Sequence, residues 1–364
     1  MGVLLLFIDG VGLGSGDPAV NPLLRAQLPH LSGLLGGPPL AASIGPPRAA
    51  GPAVWVRAAD PCLGVPGLPQ SATGQTTILT GVNAALAIGR HLNAWPSPNL
   101  RRILGEHSLF KQLQAQGRRS TFLNAYRPEF FARLSEIRGM LARDMTLPEA
   151  ELAQAEAAAE AGLRAEEAAK ADARARADQA VPLPGPANPF GRRRRDLSRK
   201  YRPSASTVAA LAAGLTIHNF DDLRAGRAVY HDITHWTIQD RPTAPPLIEA
   251  TEAGRRVTAL LDGVDFALHE YFLTDFAGHS QEMAGAITVL ELYDRFLGGI
   301  LAHLDRERHL LILISDHGNI EDLSVKSHTY HPVAALCVGR GAEAACRRIP
   351  DLTGVTPAIL AALA

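Results

Sequence analysis

Three mainly apolar runs in this chain of 364 residues are each followed closely by an aspartate. Residues 3–8 lead into Asp9, residues 265–273 precede Asp275, and residues 309–314 precede Asp316. Runs of this kind are typical of strands buried on both faces of a parallel sheet. Polar residues that follow such strands collect at one edge of an open sheet. The pattern predicts an α/β fold with a doubly wound, mostly parallel sheet and helices on both faces.

The same alternation of helix and strand recurs elsewhere in the sequence. The predicted elements outside the three runs are helices over 71–80, 109–113 and 283–304 and strands over 121–125 and 332–338. A stop signal, Gln116-Gly117, separates the second of these helices from its strand. The Gly/Pro-rich stretch from the first strand to about residue 70 has few periodic segments, which predicts long loops there.

The composition changes near residue 131. From Thr146 to Ala180 the residues are almost wholly Ala, Glu, Arg, Asp and Gln, which predicts a long solvated helix or helical hairpin. The expected stabilising features are a capping box at Thr146-x-x-Glu149 and the i,i+4 ion pairs Glu160/Arg164, Glu166/Lys170 and Asp172/Arg176. Prolines within 181–186 would end the helix. We therefore divide the chain into a core, 1–130 and 205–364, and a helical insertion, 131–204.

A basic run closes the insertion, with four arginines at 192–195 and further basic residues at 199, 200 and 202. It is either a solvated segment beside an acidic neighbour or a surface that attracts anions over an active site. Nucleic-acid binding is disfavoured because no aromatic residues are interleaved for base stacking. The formal net charge of zero also gives no global attraction to nucleic acid or an anionic membrane.

Several features indicate a cytoplasmic protein that does not bind membranes. No apolar run reaches membrane-spanning length. The apolar start is short, lacks a basic region before it, and leads directly into Asp9-Gly10, so a signal peptide is disfavoured. Three scattered cysteines, Cys62, Cys337 and Cys346, form neither a disulfide framework nor a CxxC site.

Carboxylate and imidazole side chains recur together in the last quarter of the chain, in Asp275-Phe-Ala-Gly-His279 and Asp316-His317. Alone, a strand-end aspartate is more often a turn or capping residue, and a histidine is more often part of a core. Their joint occurrence favours a two-metal site, because this ligand set suits zinc or manganese. The candidate residues are Asp9, Ser71, Asp275, His279, Asp316, His317, His328 and His331.

Ser71 begins the predicted helix Ser71-Ala-Thr-Gly74-Gln75. A serine in this position lies near free backbone N–H groups and the positive end of the helix dipole, which favours an incoming phosphate. A nearby metal ion would lower the pKa of its hydroxyl and make it a nucleophile. The alternative is an ordinary N-cap serine, the commonest role for serine at a helix start.

The motifs together resemble the alkaline phosphatase superfamily. They are Asp9-Gly10, Ser71-x-x-Gly74, Asp275-x-x-Gly278-His279, Asp316-His317-Gly318-Asn319 and His328-Thr329-x-x-Pro332-Val333, in that order. The sequence is most similar to the branch that contains cofactor-independent phosphoglycerate mutase and phosphopentomutase. The resemblance covers the whole chain except the insertion.

The resemblance implies an alkaline phosphatase-like core that holds two divalent metal ions, Mn or Zn. One ion would be held by Asp9, Asp316, His317 and the Ser71 hydroxyl, and the other by Asp275, His279 and His328. His331 would lie near the site. Weaker candidates for contacts with the substrate are Arg90, His91, Lys326 and His331.

The resemblance also implies a reaction. Ser71 would attack phosphorus in a small phosphorylated metabolite and give a phosphoserine intermediate. Transfer to water would make the enzyme a phosphatase or phosphodiesterase, and transfer to a hydroxyl of the product would make it a mutase. Two departures count against a mutase: Gln75 stands where the mutases have histidine, and the insertion does not resemble their substrate-binding domain.

Two alternatives of other classes remain at this point. Gly10-x-Gly12-x-Gly14 after a strand superficially resembles a dinucleotide-binding fingerprint, although its spacing is imperfect and Pro18 and Pro22 obstruct the following helix. The chain could also be a metal-binding scaffold without turnover. Oligomeric state cannot be inferred from the sequence.

Overall fold

A seven-stranded sheet forms the centre of the structure, a computed structural model that describes residues 1–177 and 202–364. The strands are β1 (Gly2–Ile8), β2 (Arg48–Gly51), β3 (Val54–Ala59), β4 (Ser120–Phe122), β5 (Asn124–Ala125), β6 (Val229–Tyr230), β7 (Phe266–Tyr271), β8 (His309–Ile314) and β9 (Val333–Gly339). Strands β5 and β6 form a separate parallel pair.

Helices account for most of the remaining regular structure. They are α1 (Pro29–Leu35), α2 (Ser71–Thr80), α3 (Ala84–Ile88), α4 (Pro98–His107), α5 (Leu109–Ala115), α6 (Pro128–Phe131), α7 (Leu134–Thr146), α8 (Glu149–Ala177), α9 (Ala205–Ala212), α10 (Phe220–Arg224), α11 (Ala250–Leu261), α12 (Leu273–Ser280), α13 (Met283–His303), α14 (Ala342–Arg347) and α15 (Val355–Leu363). Short 3-10 turns lie at Pro22–Leu24, Trp236–Ile238 and Leu352–Gly354.

The order of strands across the sheet is β2-β3-β9-β8-β1-β7-β4. Parallel pairing joins β8, β1, β7 and β4, whereas β9 and β2 run in the opposite direction to their neighbours. The predicted α/β class is therefore confirmed, with the parallel strands at the centre and the antiparallel strands toward one edge.

The apolar sequence of strand β1 reflects its place at the centre of the sheet. All seven of its residues are buried, because helices cover both faces of the sheet. Val3, Leu5 and Phe7 pack into the core that contains α2, α4, α5, α9, α14 and α15. Leu4, Leu6 and Ile8 pack on the opposite face, against α1, α11 and α13. Alternate residues of one strand thus stabilise two separate layers of helices.

The predicted helices at 71–80, 109–113 and 283–304 correspond to α2, α5 and α13, and the predicted strand at 332–338 corresponds to β9. The expected strand over 121–125 is divided into β4 and β5, which pair with different neighbours. The prediction of long loops up to residue 70 was incomplete. This stretch contains α1 and the antiparallel hairpin β2–β3, which adds two strands to the edge of the sheet.

The capping box predicted at Thr146 is wrong. Thr146 is the last residue of α7, and its hydroxyl donates to the carbonyls of Ala142 and Arg143 in the preceding turn. Helix α8 begins only at Glu149. The expected Glu160/Arg164 ion pair is present, with 2.5 Å between the charged atoms.

The remaining features of the insertion lie outside the part that the structure describes. They are the side chains of the pairs Glu166/Lys170 and Asp172/Arg176, the proline-rich stop at 181–186 and most of the basic run at 192–202. Division of the chain at residues 131 and 204 stays a prediction. Within residues 1–177 and 202–364, no helix is long and apolar enough to cross a membrane.

Candidate metal centre

The aspartates predicted at strand ends lie at one edge of the sheet. Strands β7 and β8 flank β1 in parallel, and their paired register brings the three carboxyl ends to the same level. Asp9, Asp275 and Asp316 follow these ends, and all three are buried. The fold thus concentrates three carboxylates from distant parts of the chain.

The first group of side chains consists of Asp9, Asp316, His317 and Ser71. His317 Nε2 lies 3.4 Å from Asp9 Oδ1, 3.5 Å from Asp316 Oδ2 and 2.8 Å from Ser71 Oγ. Potential ligand atoms of the two aspartates and the histidine all lie within 4.8 Å of one another. These four side chains are the set that the family resemblance implies for one ion.

The second group consists of Asp275, His279 and His328. Asp275 Oδ2 lies 3.5 Å from His279 Nε2, and its Oδ1 lies 3.5 Å from His328 Nε2. The two Nε2 atoms are 3.2 Å apart. The groups adjoin, because the rings of His317 and His328 stack with centroids 3.7 Å apart. Ligand atoms of Asp275, His317 and His328 also lie within 4.8 Å of one another, so His317 borders both groups.

All three histidines present Nε2 to the centre for a common reason. The Nδ1 atom of each lies within hydrogen-bond distance of a backbone carbonyl, which can only accept, so Nδ1 carries the proton and Nε2 has a free lone pair. The carbonyls belong to Gly318 for His317 at 3.3 Å, Pro69 for His328 at 2.9 Å and Lys326 for His279 at 2.9 Å. This arrangement is typical of histidines that bind metal ions.

The electrostatics of the centre also fit a cation. Burial and the neighbouring Asp275 raise the pKa of Asp316 to about 7, and burial with the charge of Asp316 raises the pKa of Asp9 well above its usual range. Burial lowers the pKa of His317, and it lowers the pKa of His328 to about 4, so both imidazoles are neutral. Asp9 Oδ1 is buried and receives no hydrogen bond.

Carboxylate oxygens and neutral imidazole nitrogens are donors that divalent ions such as zinc and manganese accept. Within the described parts of the chain, the ion pairs of Asp9, Asp275 and Asp316 are all with histidine. A bound divalent cation would therefore supply the positive charge that these buried carboxylates need. The residues present fit the predicted metal centre.

Ser71 is the first residue of α2, and the residue at the N-cap is Gln70. Because Ser71 lies inside the helix and its hydroxyl faces His317, the ordinary N-cap role does not apply to it. The expected open anion site at this helix start is wrong in one respect. The backbone N–H groups of Ala72 and Thr73 donate to the carbonyl of Leu92 and are not free for a phosphate.

The glycine of the Ser-x-x-Gly motif permits close packing of α2 on the centre. A Cβ atom at Gly74 would lie 2.9 Å from both Cβ and the carbonyl oxygen of Asp316, closer than such atoms approach in proteins. The absence of a side chain at Gly74 thus brings Ser71 and Gln75, on either side of it, to the carboxylates. Gln75 Nε2 lies 3.3 Å from Asp9 Oδ2 and 3.2 Å from Asp316 Oδ2.

Glu321 holds the loops around the centre together, a role that the sequence did not predict. Its side chain is fully buried, and Oε2 accepts hydrogen bonds from the backbone nitrogens of Gly12 and Asn319 at 2.9 and 2.8 Å. Its Oε1 accepts from the hydroxyl of Thr329 and lies 3.1 Å from His331 Nδ1. One carboxylate thus joins the loops that follow β1 and β8 to the loop that carries His328.

The same carboxylate explains the glycine pattern that resembled a dinucleotide-binding fingerprint. A Cβ atom at Gly12 would lie 2.5 Å from Glu321 Oε1, and one at Gly14 would lie 2.9 Å from Glu321 Cβ. The first α-helix after β1 begins only at Pro29, so no helix start follows these glycines directly. They pack against Glu321, and the loop lacks the strand-turn-helix geometry that the dehydrogenase alternative requires.

The four weaker candidates have other contacts. Arg90 lies 3.8 Å from Glu156 and 3.2 Å from Glu160 of α8, and His91 Nε2 contacts the carbonyls of Cys62 and Val65. The Lys326 side chain is exposed, whereas its carbonyl accepts from His279. His331 contacts Glu321, and this hydrogen bond raises its pKa. Their contact with substrate stays a prediction.

Glu270 is a further buried carboxylate that the sequence did not single out. It lies in β7, is 3% exposed, and accepts a hydrogen bond of 2.5 Å from the Ser206 hydroxyl. Burial, more than the nearby charge of Asp316, raises its pKa to about 7. A glutamate inside a mainly apolar strand was the signal that could have identified it.

Part of the chain is similar to known proteins. Residues 245–363 match the family model described as Metalloenzyme superfamily. Over 187 residues the chain is 29% identical to the 2,3-bisphosphoglycerate-independent phosphoglycerate mutase of Halobacterium salinarum, covering 43% of this chain and 37% of that protein. The chain thus spans well under half the length of this relative.

Two solved structures are also similar. The alkaline phosphatase from the Antarctic bacterium TAB5 aligns with a TM-score of 0.46 and 12% identity, covering 100% of this chain and 97% of that one. The phosphoglycerate mutase of Leishmania mexicana aligns with a TM-score of 0.44 and 14% identity, covering 100% and 95%.

The match of residues 245–363 to the metalloenzyme family model and the similarity to the mutase support the predicted resemblance. The matched region contains Asp275, His279, Asp316, His317 and His328, and so includes five of the residues at the centre. The family match and the two residue groups together support the binding of divalent metal ions.

Proposed function

We propose that this protein is a phosphoryl-transfer enzyme that depends on two divalent metal ions and uses Ser71 as its nucleophile. The observation that carries the proposal is the 2.8 Å distance between Ser71 Oγ and His317 Nε2 inside a buried cluster of carboxylates and imidazoles. A serine in this environment, at the first position of α2 and facing the cluster, is suited to attack an electrophile at the centre.

We assign one ion to Asp9, Asp316, His317 and Ser71 and the other to Asp275, His279 and His328. When bound, manganese or zinc ions would neutralise the phosphoryl oxygens and stabilise the charge that develops during in-line displacement. Because His317 Nε2 is assigned to metal binding, His317 is not the general base that accepts the serine proton. The stacked rings of His317 and His328 support two adjoining sites.

In the proposed reaction, Ser71 Oγ forms a bond to phosphorus while the bond from phosphorus to the leaving oxygen breaks. The proton of the Ser71 hydroxyl passes to solvent water, the leaving oxygen takes up a proton from water, and Ser71 becomes phosphoserine. Attack by water on the phosphoserine then releases inorganic phosphate and restores the hydroxyl. Attack by another hydroxyl of the bound product instead gives an isomer of the substrate. The substrate is a small phosphorylated metabolite, which reacts without nucleic acid or membrane as a partner.

The names of the relatives favour a mutase, whereas two features of this chain favour a hydrolase. Gln75 contacts Asp9 and Asp316 where the mutases have histidine. The insertion does not resemble the substrate-binding domain of the mutases, and its helices α7 and α8 pack beside α4 through ion pairs such as Arg101–Asp144 and Arg102–Glu149. The two outcomes differ only in the acceptor of the phosphoryl group, so product analysis distinguishes them.

The proposal is tested with purified protein that has been stripped of metal and reloaded with manganese or zinc. Turnover of p-nitrophenyl phosphate or bis(p-nitrophenyl) phosphate is expected only after reloading. A panel of phosphorylated metabolites should then be monitored separately for free phosphate and for isomerised product. Intact-mass spectrometry after a rapid acid quench should detect one phosphoryl group on Ser71. Stoichiometric metal without turnover of any phosphoryl substrate would contradict the proposal and favour a metal-binding scaffold.

A further inference from the structure

Gln75 is a neutral side chain in direct contact with two of the carboxylates at the metal centre. It lies on α2, four residues after Ser71, so both side chains are on the face of the helix that meets the sheet edge. Gln75 is 5% exposed. Its Nε2 lies 3.3 Å from Asp9 Oδ2 and 3.2 Å from Asp316 Oδ2.

The chemistry of the amide matches this position. A primary amide nitrogen carries two N–H donors, and ionised carboxylates can only accept hydrogen bonds. The amide of Gln75 can therefore donate once to each aspartate at the same time. Arginine or lysine could also donate there but would add a positive charge that opposes a bound cation. The amide orients the carboxylates without competing electrostatically with a metal ion.

The two carboxylate oxygens of Asp9 have different surroundings. Oδ2 accepts from Gln75, whereas Oδ1 is buried, receives no hydrogen bond and lies 3.4 Å from His317 Nε2. Asp316 is held additionally through Oδ1, which accepts from the backbone nitrogen of Gly10 at 3.4 Å. The lone pairs of Asp9 Oδ1 therefore remain directed at the place where His317 also points.

We propose that Gln75 is a positioning residue that fixes Asp9 and Asp316 for metal binding and reserves Asp9 Oδ1 for the ion. The proposal rests on the metal-binding part of the proposed function, but not on phosphoryl transfer. Replacing a group that holds metal ligands typically lowers metal affinity by roughly 10- to 100-fold. Gln75 thus sets the affinity and geometry of the ion next to Ser71, although it binds neither the metal nor the substrate itself.

The test compares cobalt binding to metal-free wild-type protein and to two variants, by calorimetry and by the visible absorption of bound Co²⁺. Gln75→Met keeps the length of the side chain without its donors and should lower cobalt affinity about 10- to 100-fold and alter the absorption bands. Gln75→Asn keeps an amide that is too short to reach both carboxylates, and its affinity should fall between those of wild type and Gln75→Met.

A matched control is Gln112→Met. Gln112 on α5 also donates through Nε2 to two oxygens, the carbonyls of Thr80 and His107, but these lie outside the centre. Its loss should leave cobalt affinity and absorption unchanged. If either Gln75 variant is folded by circular dichroism and binds cobalt with the affinity and spectrum of wild type, the positioning role is wrong. If wild-type protein binds no cobalt, manganese or zinc, the proposed metal centre itself fails.

Discussion

The hydroxyl oxygen of Ser71 lies 2.8 Å from Nε2 of His317, although the two residues are separated by 246 positions in the sequence. The contact joins the start of α2 to the loop that follows β8. It forms because Gly74 lets the helix approach Asp316 and because the Nδ1 atom of His317 is held by the carbonyl of Gly318. The nucleophile and the metal ligands are thus positioned by the same backbone packing.

Replacement of Ser71 by alanine should abolish phosphoryl transfer and leave metal binding largely intact. Only one of the four proposed ligands of the first ion is removed, and the remaining three are buried and held by other contacts. The rate should fall by more than about 10³-fold, since loss of a nucleophile costs more than loss of one hydrogen-bond donor. The measurements are turnover of p-nitrophenyl phosphate and metal content by atomic emission, which should remain near two ions per chain.

The control for this variant is Ser43→Ala. Ser43 is an exposed serine whose hydroxyl contacts the carbonyls of Pro38 and Leu40, away from the centre. It should behave as wild type in both measurements. Full activity of Ser71→Ala would refute the assignment of the nucleophile.

Metal binding should release protons near neutral pH. In the metal-free protein the pKa of Asp316 is raised to about 7, so this carboxyl is mostly protonated at pH 6 and must ionise to bind a cation. The ionisation of Asp316 should therefore make affinity rise by about tenfold per pH unit below pH 7 and less above it, and Asp9, whose pKa is also raised, should add to this rise. Calorimetry in buffers of different ionisation enthalpy measures the protons released. Asp316→Asn should bind metal weakly and release fewer protons; an unchanged proton release would contradict the role of Asp316.

Glu270→Gln should change how the stability of metal-free protein depends on pH. Burial raises the pKa of Glu270 from 4.5 to about 7, so the folded state binds this proton more tightly than the unfolded state. Its contribution is favourable below pH 4.5 and is lost as pH rises through 7. Relative to wild type, the variant should therefore gain up to about 3 kcal/mol between pH 4.5 and 8.

The measurement is urea unfolding of both proteins in the presence of a chelator at several pH values. Other titrating groups contribute equally to both proteins, so the difference between them isolates Glu270. A difference in unfolding free energy that does not change with pH would show that Glu270 does not titrate in this range.

The sequence predicted the parts of the structure that depend on local patterns. Buried strands such as β1 and β8 are almost wholly apolar, and each is followed closely by an aspartate, so their position and the clustering of Asp9 and Asp316 followed from general rules for α/β sheets. The helix at Ser71 was likewise visible from its boundaries. The strands and this helix could be predicted because each depends on residues that are close together in the chain.

The roles that the sequence missed depend on contacts between distant residues. Glu321 receives hydrogen bonds from Gly12, which is 309 positions away, and no local pattern indicates such a partner. The hairpin β2–β3 was missed because it follows a stretch rich in glycine and proline, although Val54 and Val56 alternate toward the core. The capping box predicted at Thr146 failed for a different reason: the motif is present, but helix α7 continues as far as Thr146, so this residue ends a helix and does not begin one.

Glu321→Ala should destabilise the protein and loosen the loops at the centre. The substitution leaves the backbone nitrogens of Gly12 and Asn319 without their acceptor in a fully buried position. Each hydrogen bond to a charged group typically contributes about 1.5–3 kcal/mol, so a loss of at least about 3 kcal/mol in unfolding free energy is expected. Metal affinity should fall as well, because the loop that carries His328 loses its attachment.

The variant Glu321→Gln removes the negative charge of the side chain and keeps its shape. The hydrogen bond from His331 to Glu321 raises the pKa of His331, so this pKa should fall toward its ordinary value in the variant. The stabilisation from the pair is present in wild type below the ordinary histidine pKa and is lost as pH rises through the raised value. Titration of the His331 ring by NMR measures the shift. An unchanged pKa would mean that Glu321 is not the group that stabilises the charged ring.

Asp144→Ala should lower the unfolding free energy more than the loss of an exposed ion pair does, because Asp144 holds α7 against α4. The Asp144 side chain is 0% exposed and lies 2.6 Å from Nε of Arg101 and 3.0 Å from Nη2 of Arg143. Its removal leaves Arg101, whose side chain is 13% exposed, without a counter-charge, which typically costs about 3–5 kcal/mol. Asp221→Ala is the control, because Asp221 is 82% exposed in its pair with Arg224 and should cost less than about 1 kcal/mol. Urea unfolding of both variants at pH 7 compares them, and equal losses would mean that Asp144 does not anchor the start of the insertion to the core.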